Sequence, residues 1–71
     1  MDVETIDDVI YWINRQPDWE VVGTADVVAR SRGAEIPDEA KAALAELPPG
    51  EMTRAELVAE VRELMVAKMT G

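Results

Sequence analysis

Apolar residues recur mostly at helical spacing along this chain, most clearly near the C-terminus. Between Met52 and Met69, the residues Leu57, Val61, Leu64 and Met65 lie 4, 7 and 8 positions apart, which lines one side of a helix. Thr53, followed three residues later by Glu56, is a capping box in front of them. At about 100° per residue, Leu57, Val58, Val61, Leu64, Met65 and Met69 fill an arc of about 140°. Val66, Ala55 and Ala59 widen it. A surface helix needs a stripe of only about 100°. The pattern predicts a helix over 54–68 that touches several neighbours or an outside partner.

Three shorter helices are expected before it. Ile6, Val9, Ile10 and Ile13 stand at i, i+3, i+4 and i+7 and predict a helix over 6–16. Thr5 is its expected cap, Asp7 and Asp8 suit its positive end, Trp12 flanks the stripe and Tyr11 points away. Pro17 stops it. Pro17–Gly23 reads as an ordered loop in which Trp19 and one valine plug the core. A short strand is the alternative, but no partner strand is evident. The second helix, over 25–32, starts from Thr24, pairs Asp26 with Arg30 and ends at Gly33, read as a left-handed C′ residue. Val28, with Ala25, Val27 or Ala29, gives it a small apolar face, and Ile36 inserts into the core. The third, over 38–47, opens at Pro37, buries Ala40, Ala43, Leu44 and Leu47, and is broken by Pro48-Pro49-Gly50. Short loops and no internal repeat predict one compact four-helix, all-α domain over 1–71.

Composition narrows the chemistry. There is no cysteine and no histidine, which excludes disulfides, thiolate zinc sites and Ser-His-Asp catalysis. Fifteen acidic residues against seven basic ones leave a net charge of −8, which opposes general binding to nucleic-acid phosphates. Five of the seven basic residues are Arg, and Ala and Val abound, as in a GC-rich genome. The acidic N-terminus lacks the basic region of a signal peptide, and no apolar run approaches the roughly 18 residues of a membrane span. A cytoplasmic protein is expected.

Few residue groups suggest a site. The unit from Ala25 to Leu47 has the spacing of a helix-turn-helix, but its second helix offers Asp38, Glu39 and Glu46 against Lys41 alone, which opposes docking in a DNA groove. Arg30 and Arg32, with Arg15, form the one basic cluster, suited to an anion or an acidic segment. Glu56, Glu60 and Glu63 share one side of the last helix. One helix face supplies too few oxygens for calcium, and no D-x-D-x-D-G loop is present. No nucleophile elbow or phosphate loop appears, so an enzyme is not expected.

Thr24-Ala25-Asp26-Val27-Val28 through Arg32-Gly33-Ala34, then Ala43-Leu44-Ala45-Glu46-Leu47-Pro48 and Thr53-Arg54-Ala55-Glu56-Leu57-Val58, resemble a family of small bacterial helical domains of unknown function, frequent in actinobacteria. The resemblance covers about residues 24–64 and implies a helical fold with no established activity.

The expected function is a non-catalytic protein–protein interaction module or small regulatory protein, dimeric or bound to a basic protein. Its expected contact residues are Tyr11, Trp12, Trp19, Val58, Val66 and Met69, with Glu56, Glu60 and Glu63. No catalytic, cofactor or metal residue is expected. The alternatives are a helix-turn-helix regulator of nucleic acid and a phage or mobile-element antagonist whose carboxylates mimic DNA.

Overall fold

A computed structural model describes residues 2–70. It contains α1 (Val3–Asn14), β1 (Val21–Gly23), α2 (Thr24–Ser31), α3 (Asp38–Leu44), β2 (Glu51–Thr53) and α4 (Arg54–Thr70). The fold is mostly helical, with a two-stranded antiparallel sheet that corrects the all-α expectation. Val21 faces Thr53, Val22 faces Met52 and Gly23 faces Glu51. The run after Pro17 therefore has a partner strand. That partner escaped the periodicity because it is three residues long, opens on an exposed Glu51 and closes on the residue that caps α4.

The sheet relates two halves of the chain. The N–H of Thr24 donates to the Gly50 carbonyl at 2.9 Å, and the N–H of Arg54 donates to the Glu20 carbonyl at 3.2 Å. These two bonds interchange under the 30-position offset that pairs Val22 with Met52. Helix–strand–helix thus occurs twice, as α1-β1-α2 and α3-β2-α4, back to back. Matched places carry Ile13 and Ala43, Val22 and Met52, or Val27 and Leu57, all buried or half-buried. The repeat is one of burial, not of residue identity, and so no repeat is visible in the sequence.

Helix ends follow local hydrogen bonding. α1 starts three residues before its predicted start, because the Asp2 carboxylate, not Thr5, is the cap. It accepts from both the N–H and the hydroxyl of Thr5, each at 2.9 Å. α1 ends at Asn14, short of the predicted Gln16, as the chain tightens into a turn with the Arg15 N–H on the Tyr11 and Trp12 carbonyls. α3 ends at Leu44, and Leu47 is buried from the turn beyond it. Among the described residues the one glycine at positive φ is Gly50, at 126°, so Gly33 does not act as a left-handed cap.

The core gathers Ile6, Val9 and Ile13 from α1, Trp19 and Val22 from the first loop and strand, and Val27 from α2. Ile36, Ala40, Ala43, Leu44 and Leu47 join from around α3, and Leu57, Val61 and Met65 from α4. Val27, not Val28, is the buried valine of α2; Ile10, Val28 and Leu64 are half-buried. Arg54 closes the open end of α1. Its Nε donates to the Trp19 carbonyl at 3.2 Å, Nη1 to Asn14 at 3.4 Å and Nη2 to Gln16. One guanidinium thus serves the last carbonyl of α1, that of Asn14, and two carbonyls of the loop beyond it.

Three outcomes are expected in urea unfolding. Arg54→Lys should lower stability by about 1–3 kcal/mol, because an ammonium cannot present the same fork of donors. An unchanged midpoint would contradict that role. Gly50→Ala should cost about 1–2 kcal/mol for its left-handed backbone, whereas Gly33→Ala should be neutral or slightly stabilising.

Candidate interaction surface

On α4 the buried stripe is Leu57, Val61 and Met65, each 0% exposed. Beside it, at about 100° per residue, run Val58, Arg62, Val66 and Met69, with Ala55 and Ala59 further round. Val58 is half-buried against the core. Val66 and Met69 are 45% and 40% exposed. The helix therefore buries one apolar stripe and carries a second, partly exposed apolar run, interrupted by Arg62, on its outer side. Val3 and Tyr11 on α1 and Val21 on β1 are also exposed.

The three glutamates of α4 separate by role. Glu56 completes the capping box: its Oε1 accepts from the Thr53 N–H at 3.1 Å and the Thr53 hydroxyl at 3.0 Å, while its own N–H donates to Thr53 Oγ1 at 3.2 Å. These bonds, the backbone one foremost, hold its carboxyl below the usual range. Glu60 and Glu63 instead line a surface depression with Glu46, Leu47, Pro48 and Leu64. Lys68 forms an ion pair with Glu46 at its edge.

The aromatic residues divide too. Trp12 and Trp19 meet edge to face, centroids 5.2 Å apart at 88°. Trp19 is only 2% exposed, so it fills the core and offers nothing to a partner. Trp12 is half-buried and lines a groove with Asp8, Tyr11, Arg15, Glu35 and Ile36. There the Arg15 guanidinium lies 5.5 Å from the centre of the exposed Tyr11 ring. The expected Arg15–Arg30–Arg32 cluster is dispersed over three places. Arg30 does not pair with Asp26 in α2; it pairs with Asp18 at 3.1 Å, contacts Gln16 and lies 5.2 Å over the Trp19 ring. Arg32 lines a third groove with Ala25, Val28, Ala29 and Leu47. The sequence marked Asp8 only as a helix-start carboxylate and gave Glu35 no role, because nothing local links α1 to the corner before α3.

Two helix–loop–helix units paired through their loops is also the layout of calcium-binding hands. Such a loop needs oxygens at positions 1, 3, 5, 7, 9 and 12 around a glycine at 6. With Gly50 as the sixth residue, the first, third and fifth are Ala45, Leu47 and Pro49; the offset places Arg15, Pro17 and Trp19 in the other loop. Those side chains are not calcium ligands. Among the described residues there is no group of three or more potential metal ligands, and no helix long and apolar enough to cross a membrane. No family model, curated protein or solved structure matches the chain.

Asp2, Asp18 and Glu56 share one pH signature. Asp18 is lowered first by its hydrogen bond from Arg30, and Asp2 by the Thr5 N–H. A carboxyl lowered in the folded state adds stability that is present above its unfolded value of about 4 and is lost as pH falls through the lowered one. Urea midpoints should therefore drop as pH falls below about 4. Asp18→Asn should shrink that drop; an identical acid limb in the variant would remove the Arg30–Asp18 contact from the account.

Proposed function

We propose that the chain is a non-catalytic protein-interaction module that binds through the outer side of α4. The carrying observation is that Leu57, Val61 and Met65 are fully buried while Val66 and Met69 stay outside on the same helix. The inward packing is complete without them. Large apolar side chains clustered on one exposed side are a common mark of a protein contact, and Ala55 and Ala59 beside them allow another helix to approach closely. The net charge of −8 favours a second copy or a basic protein over a nucleic acid or a membrane of anionic lipid. With no histidine or cysteine, and with Glu56 engaged in a helix cap, the usual side chains for a nucleophile–base pair are not brought together on this side of α4. A cytoplasmic setting is part of the same proposal, as is the resemblance of residues 24–64 to small bacterial helical domains of unknown function.

Photo-crosslinking residues at Val66 and Met69 test it. Covalent adducts, to a second copy or to another protein, are expected from these positions and not from exposed Ala42 on α3. Val66→Glu with Met69→Glu should leave unfolding within about 0.5 kcal/mol per site, as for other surface changes, and abolish the adducts. A chain that remains monomeric by light scattering at every concentration, and yields no adduct at either position, would overturn the proposal.

A further inference from the structure

We infer that the groove between α1 and the corner before α3 receives an arginine or lysine side chain from a basic segment of a partner protein. It is lined by the buried Ile36, the half-buried Trp12 and the exposed Tyr11, together with the exposed Asp8, Arg15 and Glu35 at its rim. Tyr11 is 64% exposed, the most of any large apolar or aromatic side chain among the described residues. Its ring already holds a guanidinium, that of Arg15, at 5.5 Å from the centroid. Arg15 thus shows that this ring accepts a guanidinium, and two carboxylates line the same groove. The side chains of Asp8 and Glu35 make no ion pair or hydrogen bond among the described residues. Two rim carboxylates against one arginine leave the groove negative, within a chain of net charge −8 that attracts cationic segments over distance. An anion or a phosphate would meet the wrong sign here.

The occupant follows from this complementarity. A guanidinium accepts a bidentate carboxylate and stacks on a ring at the same time, and a long side chain lays its methylenes over Ile36 and Trp12. The inference rests on the interaction-module reading but uses a different surface from α4, so the two fail separately: adducts at Val66 do not depend on Tyr11, and peptide binding at Tyr11 does not depend on Val66.

The test uses the full chain, labelled with nitrogen-15, and end-capped hexa-arginine as the probe. Amide shifts should concentrate on Asp8, Tyr11, Trp12, Arg15, Glu35 and Ile36, together with the Trp12 indole N–H. Glu35→Gln, Asp8→Asn and Tyr11→Leu should each weaken binding about three- to tenfold. All three positions are exposed, and the spectra themselves report whether the fold is kept. Arg15→Gln, which removes the internal cation, should tighten binding more than Arg62→Gln, which changes net charge equally. Equal weakening by Glu63→Gln would show diffuse attraction to an acidic protein and overturn the inference, as would shifts centred elsewhere or none at all.

Discussion

The three-pair ladder between Val21–Gly23 and Glu51–Thr53 governs this fold because each strand runs straight into a helix. Its register fixes where α2 and α4 begin, and the flanking bonds from Thr24 and Arg54 lock both ends. A slip of one residue would turn Val22 and Met52 away from the core and displace both helix starts. An isolated two-stranded ribbon is marginal in water. This one persists because Val22 within it and Trp19 just before it are buried in the core and because Arg54 ties the preceding loop to α4. The local pairing and the global packing each make the other possible.

That interdependence explains what the sequence disclosed. Helices declared themselves through periodicity, and most of the core followed: Ile6, Val9, Ile13, Ala40, Ala43, Leu44, Leu57, Val61 and Met65 are all buried. The capping box at Thr53 was legible because all its bonds are local. The ladder was not, since three residues cannot display an alternation and its polar members obey the demands of a helix start. Charge pairing was the least legible. Arg30 had a suitable carboxylate one turn away in α2, yet a tryptophan face and Asp18, twelve positions back, offer it more than one exposed pairing does.

The candidate surfaces show the same split. Val66 and Met69 were identifiable because a helix with more apolar residues than one stripe needs must leave some outside. Trp19 matched the composition of an interface but belongs to the interior, where its ring braces Trp12 and carries Arg30. The groove at Tyr11 depends on a tertiary juxtaposition: Asp8 and Tyr11 come from the outer turns of α1, Glu35 and Ile36 from an irregular connection. Only the docking of α1 onto the α3 region brings them together. A single small domain thus presents two chemically distinct faces, one greasy and one cationic in its preference.

The internal two-fold has a consequence for how the chain associates with itself. The halves are covalently joined only by the segment 32–37, so their mating within one molecule is secured by the high effective concentration that a short tether provides. Every contact between the halves is equally available to a half from another molecule. A tether too short or too stiff to fold back would yield intertwined dimers built from the native contacts, with no new interface required. The length of that connection thus bears on the balance between one chain and two in completing the fold.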